Sequence, residues 1–459
     1  MKNLSRGTLV LLIFLNGYVS LSLELAVLRQ LSFYVGSSAV VTSIIMAIFL
    51  GFMSLGYTLG ESKRIQDKKI PLILHGSFLF IALLSVVAAS FPLITHYFIW
   101  LYRGGITSGA LQTFIYSLVF LSAGPFLFGF NTTLLSRLLH LHDKNCTGNI
   151  MAWDTIGSVF GSIATTLILM PFLGVNYTVV LITVLSIFAA LTLRRAWWSW
   201  LICACVFITS LMINSNTYQR MRLGILVNNA NSTISVNEFS GDRILFMNGL
   251  PMSVITADNN FAPYINYLNE NYIYTIPQNK VHKILVLGAG GFTLGLDDTR
   301  NEYTFVDIEH TLKDVSERYF LGRKLPANKK FIVEDASQFL KNTPEQYDFI
   351  LLDVYSNSFQ VPEGLITVEF MERLRSRIAP NGIIAMNMIV SPEFSNKYSR
   401  VFDNTFRAVF PYNTSRQTIG VFDPWRHEDD TSNILYFFYN VPNDGRIYSI
   451  NKTPVIYDR

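Results

Sequence analysis

Four positions in the C-terminal half of the chain combine residue types that can bind a nucleotide, and each of them follows a predicted strand. They are the turn at residues 288–291, Asp307, the pair Asp335-Ala336, and Asp353. Ligands of open α/β sheets bind beyond the carboxyl ends of the strands. A glycine turn or a strand-end aspartate taken alone is often only a turn or a helix cap. Four such positions on successive strands predict one shared nucleotide site.

Each position suits a different part of an adenosine ligand. The turn holds three glycines that let a ligand approach the backbone closely: Gly288, Gly290 and Gly291. Asp307 lies 19 residues beyond Gly288, where an acid commonly binds ribose hydroxyls. Asp335-Ala336 can contact an adenine edge, and Asp353 is placed at the centre of the crevice. The segment after the turn begins Phe-Thr-Leu and lacks a full dinucleotide fingerprint, which favours adenosine without phosphates.

The elements that must position these residues alternate between apolar strands and helices. Such alternation predicts a parallel sheet covered on both faces. The predicted strands are residues 283–287, 303–307, 331–335, 348–353 and 383–386, with a short helix expected between the first two and closing antiparallel strands near 416–421 and 433–439. A small β-meander is predicted before them, over residues 223–256, followed by a helix near 264–272.

The chain is too apolar for an ordinary soluble protein, and the excess lies in its N-terminal half, up to about residue 215. Half of the 459 residues are hydrophobic and only 15% are charged, against about a quarter in typical globular chains. A crossing helix needs about 20 apolar residues. Seven spans are predicted, centred near Leu15, Ala47, Leu83, Phe120, Ile163, Val184 and Phe207, with a kink at the proline of residues 122–125. A net charge of +4 gives no case for nucleic acid.

The basic residues flanking these spans predict a cytoplasmic N-terminus. With seven spans the C-terminal domain would then face the opposite side of the membrane, which conflicts with a cytoplasmic nucleotide donor. Glu24, Arg29 and Asp154 lie within or beside spans. They are interpreted as an ion pair or interfacial groups, or alternatively as part of a substrate or ion path. The pattern Gly157-x-x-x-Gly161 is typical of close helix packing.

Several motifs of the C-terminal half resemble spermidine synthase, and the whole chain resembles the bacterial membrane-fused members of that family. The motifs are the Asn248-Gly249 turn, Tyr264, the glycine turn, and the segments at residues 306–309, 334–340, 347–353 and 361–370. Two membrane segments, residues 23–29 and 154–161, are similar to the fused families as well.

The resemblance implies aminopropyl transfer from decarboxylated S-adenosylmethionine to an amine, with release of methylthioadenosine. It implies that Asp353 is the general base, that Asp307 binds ribose with Glu309 close by, and that Asp335-Ala336 contacts adenine. Tyr264 and Tyr355 are the expected substrate-binding residues. No tightly bound cofactor is expected; decarboxylated S-adenosylmethionine or S-adenosylmethionine is the co-substrate.

The acceptor side departs from the soluble enzymes of that family. Positions where those enzymes carry diamine-binding side chains read Met252, Ile265-Asn266, Gly291 and Ser356 here. Ammonium recognition depends on paired carboxylates, so a diamine would bind weakly. The donor pocket is expected to be retained and the acceptor pocket to be rewritten, with a different acceptor as one alternative to ordinary spermidine synthesis.

The expected architecture is an all-α transmembrane domain over residues 1–215, a β-meander with connecting helix over 217–275, and a Rossmann-like catalytic domain of the class I methyltransferase type over 276–459. The predicted location is the bacterial inner membrane. Expected partners are the lipid bilayer, nucleotide and amine substrates, and a second copy of the chain. The alternatives are a transporter or membrane scaffold with a regulatory or degenerate nucleotide domain, and an S-adenosylmethionine-dependent methyltransferase, against which the meander argues.

Overall fold

The computed structural model describes residues 4–36, 38–142, 147–277, 279–355, 361–420 and 431–443. The chain divides into two compact units. The first comprises Met1–Val236 and Met247–Gly249, and the second comprises Asn237–Phe246 and Leu250–Arg459.

The first unit is mainly helical. Its helices are α1 (Arg6–Val35), α2 (Ala39–Gly60), α3 (Ile70–Ala89), α4 (Phe91–Arg103), α5 (Gly109–Tyr116), α6 (Ala123–His140), α7 (Thr147–Ile163), α8 (Met170–Leu193), α9 (Trp197–Ile213) and α10 (Asn216–Leu223). A π-helical turn at Ser117–Leu121 extends α5 to the start of α6, and a second at Ala164–Leu169 joins α7 to α8. The chain bends by 44° between Leu121 and Ala123, next to the proline at which a kink was predicted.

Within the described residues, four helices are long and apolar enough to cross a membrane, and the number is six if each of two bent helix pairs forms one span. One of the four, Thr147–Leu193, has 47 residues and would measure about 70 Å as a straight helix, more than twice the hydrocarbon core. Gly174 interrupts it with φ 80° and ψ 162°. Two spans divided at Gly174 would give the predicted total of seven, which stays a prediction.

Glycines bring pairs of these helices into backbone contact. A side chain at Gly157 would collide with the carbonyl oxygen of Phe14, and one at Gly161 with that of Tyr18, so α7 packs closely and in parallel along α1. In the same way, side chains at Gly56 and Gly129 would collide with backbone atoms of α6 and α2 respectively. The packing role predicted for the Gly157–Gly161 pattern is confirmed.

A buried network of side-chain amides continues the first unit beyond its last helix. Asn228 donates from Nδ2 to Gln30 Oε1 at 3.0 Å and to Asn176 Oδ1 at 2.9 Å, and Asn176 donates to Gln219 Oε1 at 2.8 Å. Arg29 donates to the carbonyl oxygens of residues 229 and 230 at 2.8 and 3.0 Å. These bonds hold the segment after α10 against the helices, which gives Arg29 a structural role.

The polar groups near Asp154 also lie between helices. Thr132 is 3.5 Å from Asp154 Oδ1 and accepts from Asn16 Nδ2 at 3.0 Å. Glu24 is 7% exposed on α1. The part of Glu24 and Asp154 in a substrate or ion path stays a prediction.

Four short strands occupy the region of the predicted meander: β1 (Ile225–Asn228), β2 (Thr233–Phe239), β3 (Asp242–Met247) and β4 (Leu250–Ile255). β1 pairs antiparallel with β2. Asn248 and Gly249 both have positive φ, at 51° and 80°, as a two-residue hairpin turn requires.

The second unit is built on a seven-stranded sheet. Its strands are β5 (Lys283–Leu287), β6 (Glu302–Asp307), β7 (Lys329–Val333), β8 (Tyr347–Leu352), β9 (Ile378–Val390), β10 (Thr414–Ile419) and β11 (Ser432–Tyr439), in the order β10-β11-β9-β8-β5-β6-β7. The first five run parallel, whereas β11 is antiparallel to both β9 and β10. The Rossmann-like prediction is confirmed.

The strand order reverses direction between β5 and β8, which is where a crevice forms at the carboxyl edge of such sheets. The described helices of this unit are α11 (Pro263–Leu268), α12 (Leu312–Val315), α13 (Ala336–Asn342), α14 (Val368–Ser376) and α15 (Lys397–Val409). The prediction of a short helix between β5 and β6 is wrong. Residues 292–301 form turns instead, because Phe292 and Gly295 both adopt positive φ, at 60° and 57°.

Candidate active site

A cavity of about 250 Å³ opens at the carboxyl edge of the sheet, near the lower end of the size range of small-molecule sites. Its lining comes from the ends of β5, β6, β7 and β8 and from the segment before α14. The lining residues are Gly288, Val306, Asp307, Ile308, Glu334, Asp335, Ala336, Ser337, Val354, Pro362, Gly364 and Leu365. Three of the four positions singled out in the sequence therefore line the same cavity.

The glycine turn after β5 is shaped by close approaches that exclude side chains. Gly288 has φ 90° and Gly290 has φ 48°, both in the region that favours glycine. The Gly291 N–H donates to Ser253 Oγ at 2.8 Å, which ties the turn to β4. A side chain at Gly291 would collide with the ring of Phe320. The turn is thus a compact backbone surface, and Gly288 forms part of the cavity wall.

Asp307 holds the glycine turn and lines the cavity. Its Oδ2 accepts the Ala289 N–H at 3.0 Å, and its Oδ1 accepts the Glu309 N–H at 3.0 Å. Burial raises the pKa of Asp307, and the hydrogen bonds from these two backbone groups oppose that rise. An acid here can accept ribose hydroxyls as well, because each carboxylate oxygen has a second lone pair.

Glu309 lies two residues further on, but its carboxylate is engaged elsewhere. Glu309 is 1% exposed, and its Oε1 accepts from the backbone N–H of Thr311 at 3.0 Å and from the Thr311 hydroxyl at 2.6 Å. Glu309 is not among the residues that line the cavity described above. Its side chain stabilises the start of α12, and its role in ribose binding stays a prediction.

Asp335 and Ala336 line the cavity at the start of α13. Asp335 caps this helix, because its Oδ1 accepts the Gln338 N–H at 3.0 Å. The second carboxylate oxygen receives no bond from that cap and is available to an adenine amino group. The buried Ala336 leaves room for a planar base beside it.

Asp353 follows β8 and lies next to the cavity, between its lining residues Gly288 and Val354. Its carboxylate receives two side-chain hydrogen bonds, from Tyr264 OH to Oδ2 at 2.7 Å and from Asn387 Nδ2 to Oδ1 at 2.9 Å. Burial raises the pKa of Asp353, and the bonds from Asn387 and Tyr264 oppose that rise. Burial and the neighbouring Asp353 raise the pKa of Tyr264 well above its usual value, so the phenol stays protonated as a donor.

Asn387 was missed in the sequence, although it lies directly beside Asp353. In the parallel register of β8 and β9, Leu352 pairs with Met386, so the next residue along each strand is Asp353 and Asn387. Tyr355 OH donates to the Asn387 carbonyl oxygen at 2.7 Å. Tyr264, Asp353, Tyr355 and Asn387 therefore form one hydrogen-bonded group, and the signal in the sequence was a lone amide inside an apolar strand.

At the positions where the soluble enzymes carry diamine-binding side chains, the described residues of this chain place no carboxylate beside Asp353. Asn266 uses its side-chain amide to bond the backbone N–H and carbonyl of Phe261, both at 3.1 Å. Ile265 is buried, and Met252 lies on β4. Ser356 lies outside the described residues. Among the described side chains, Asp353 is the one carboxylate within this hydrogen-bonded group.

The spermine/spermidine synthase domain family matches residues 273–421. The chain is 24% identical to polyamine aminopropyltransferase 2 of Aquifex aeolicus over 403 residues, which cover 82% of this chain and 78% of that protein. It is 22% identical to polyamine aminopropyltransferase 1 of Streptomyces coelicolor, over 86% of this chain and 77% of that protein. The crystal structure of spermidine synthase from Thermotoga maritima aligns with 46% of this chain and 69% of its own, at 11% identity and a TM-score of 0.37.

The family match covers β5 to β10, including the glycine turn, Asp307, Asp335 and Asp353. The two relatives align with most of the helical region as well. The C-terminal part of this chain is a spermidine synthase domain, and it follows a helical N-terminal region.

Proposed function

We propose that this chain is a multi-pass membrane aminopropyltransferase that transfers the aminopropyl group of decarboxylated S-adenosylmethionine to an amine. One observation carries the proposal. A partly buried carboxylate, Asp353, is hydrogen-bonded by Tyr264 and Asn387 beside a cavity that Asp307 and Asp335 line. The family match and the aminopropyltransferase relatives support the same reaction.

The chemistry needs an amine with a free lone pair, held in line with the carbon that it attacks. The amine nitrogen forms a bond to the methylene carbon next to the sulfonium, and the carbon–sulfur bond breaks. Its electron pair stays on sulfur, which becomes the neutral thioether of methylthioadenosine. The new ammonium loses a proton, for which the ionised carboxylate of Asp353 is the acceptor.

The other residues hold the donor. The glycine turn gives the adenosine a flat backbone surface, Asp307 accepts the ribose hydroxyls, and Asp335 accepts from the adenine amino group. Tyr264 remains a donor to Asp353 and so favours its ionised form.

None of these roles needs a metal, and the described residues contain no group of three or more histidine, cysteine or acidic side chains able to hold one.

The membrane location is supported by the apolar helices of the first unit. Four to six of them have the length and composition to cross a bilayer. Their glycine-mediated contacts are typical of helices that pack within lipid.

The test uses the full chain, purified in detergent and reconstituted in lipid nanodiscs. It is incubated with decarboxylated S-adenosylmethionine and a panel of amines, and methylthioadenosine is measured by chromatography. We expect methylthioadenosine to be released in an amine-dependent manner, and the D353N variant to release almost none. Release of S-adenosylhomocysteine from S-adenosylmethionine, with no methylthioadenosine from the decarboxylated donor, would instead identify a methyltransferase.

A further inference from the structure

The side-chain oxygen of Asn387 is buried and receives no hydrogen bond from the residues that the structure describes. Asn387 is 2% exposed and lies in the C-terminal part of β9. Its Nδ2 is already used, because it donates to Asp353 Oδ1 at 2.9 Å. An unpaired buried carbonyl oxygen costs about 1–3 kcal/mol, so a donor for this atom is expected from a bound molecule.

The orientation of this amide follows from its neighbour. Turning the side chain over would place Oδ1 against the Asp353 carboxylate, and two acceptors would then face each other. The backbone is fixed as well, since Tyr355 OH donates to the Asn387 carbonyl oxygen at 2.7 Å. Nδ2 therefore faces the carboxylate and Oδ1 is the free end of the amide.

The reacting nitrogen of the proposed function is a donor of the required kind. A neutral primary amine has two N–H groups and one lone pair. Two acceptors that each take one N–H fix the nitrogen, so that its lone pair points in the remaining direction. The carboxylate of Asp353 is one such acceptor, and the free Oδ1 of Asn387, on the same side-chain pair, is the other.

We propose that Asn387 Oδ1 accepts one N–H of the attacking amine while Asp353 accepts the other, and that this pair selects primary amines over secondary amines as acceptors. The inference rests on the proposed aminopropyl transfer. A secondary amine brings one N–H group fewer and would leave one of the two oxygens unpaired. The same residue would then have two functions, with Nδ2 orienting the base and Oδ1 orienting the nucleophile.

The experiment compares a primary amine that the full chain uses with its N-methyl derivative. Both are assayed by methylthioadenosine release, at a pH where activity no longer rises. For the unaltered chain, we expect kcat/KM to favour the primary amine on the order of tenfold or more, as the loss of one buried hydrogen bond implies. In N387L this ratio should fall to within about twofold of one. Because each ratio compares two amines on one enzyme, any effect of the substitution on Asp353 itself cancels.

The matched control is N440L, which makes the same change directly after β11, beside the start of β9. There the Asn440 amide bonds the carbonyl oxygens of Ile378 and Ala379 at 3.4 and 2.9 Å. This variant should keep the ratio of the unaltered chain. If N387L does not fold, N387S provides the same comparison with a smaller side chain.

The outcomes separate the two proposals. If the unaltered chain releases no methylthioadenosine with any amine, the proposed function itself is wrong. If it does, but N387L or N387S keeps the preference for the primary amine, or the unaltered chain shows no such preference, then the role of Asn387 is wrong and aminopropyl transfer stands.

Discussion

Gly288 lies directly against the backbone of Asp353, so that a side chain at position 288 would collide with the carbonyl oxygen of that residue. The Asp353 N–H also donates to the carbonyl oxygen of Leu287 at 2.8 Å. The turn proposed to bind the donor and the residue proposed to act as base are therefore fixed to each other by main-chain contacts. Donor binding and acceptor activation should depend on the same few atoms.

The G288A variant tests this relationship. The new methyl group cannot be accommodated without moving Asp353, and φ 90° is unfavourable for alanine. We expect kcat to fall at least tenfold and KM for the donor to rise, since a displacement of about 1 Å can cost 100-fold in rate. Steady-state kinetics on the reconstituted chain measures both. G420A, where a methyl group meets no atom of the described residues within 4 Å, should behave like the unaltered chain. Equal kinetics for both variants would contradict the finding.

Replacing Asp353 by asparagine should abolish activity while raising stability near neutral pH. Loss of a general base costs roughly 100- to 10,000-fold in rate. The pKa of Asp353 is raised in the folded protein, so its ionised form opposes folding, and the protein loses stability as pH rises through that pKa. D353N removes this effect, worth about 1.4 kcal/mol for each unit of pKa shift.

Thermal unfolding of D353N and the unaltered chain at several pH values measures the difference. The difference should be largest at neutral pH and should shrink as pH falls toward the ordinary aspartate pKa of about 4, well below which the carboxyl is protonated in both states. A variant that is less stable than the unaltered chain at pH 7 would show that burial of the charge is not the dominant effect.

Removing the hydroxyl of Tyr264 should move the acid limb of the pH–rate profile to higher pH. Tyr264 OH donates to Asp353 Oδ2 at 2.7 Å and so stabilises the ionised base. Y264F lacks this bond, and the pKa of Asp353 rises further from its already raised value. The profile of kcat/KM against pH shows the shift, whereas Y274F, at a partly exposed tyrosine, should leave the limb in place. A limb that moves to lower pH, or not at all, would contradict the role of Tyr264.

Introducing an aspartate at Gly291, one of the positions that lack a diamine-binding side chain here, should not create a diamine-binding site. A side chain at Gly291 would meet the Phe320 ring and lie 2.9 Å from Ser253 Cβ. Overpacking of this kind typically costs about 1–3 kcal/mol. We expect G291D to lower the melting temperature by several degrees and to leave KM for putrescine unimproved. A G291D protein that is as stable as the unaltered chain and binds putrescine more tightly would show that the turn can open.

The helical unit should remain in the membrane under conditions that remove peripheral proteins. We expect the full chain to stay in the membrane fraction after alkaline carbonate and high salt, because apolar burial in lipid does not depend on charge. G157L should reduce its melting temperature in detergent, since leucine cannot fit against the Phe14 carbonyl oxygen. G51L is the control, because a Cβ added at Gly51 would meet no atom of the described residues within 4 Å. Release of the chain by carbonate would exclude a spanning arrangement.

The sheet could be predicted because most of its strands contain an apolar run, as in Lys283–Leu287 and Tyr347–Leu352, and Asp307, Asp335 and Asp353 lie at or just beyond the ends of such runs. Side-chain roles were harder to infer. The carboxylate of Glu309 bonds Thr311, which depends on the local turn and not on the motif. Asn387 became visible only when the register of β8 and β9 placed it beside Asp353, because pairing between strands is not encoded in either strand alone.

The failures in secondary structure have similar causes. The expected helix after Gly291 is absent because Phe292 adopts a positive φ, which an aromatic residue rarely does and no local pattern announces. The prediction of seven spans is not one of these failures. It places separate spans around Ile163 and Val184, and the helical run Thr147–Leu193 is interrupted between them at Gly174, so the number of spans stays a prediction.

The amide network around Asn228 has a consequence for how this protein can be divided. Gln30 and Asn176 depend on a residue that lies after the last helix, and the first unit extends to Val236. A chain that ends at residue 215 would lack Asn228 and would leave the buried amides of Gln30 and Asn176 in the helical region without this partner. The helical region and the sheet therefore cannot be exchanged between proteins by a junction at residue 215. A working junction would have to lie after the hairpin of β1 and β2.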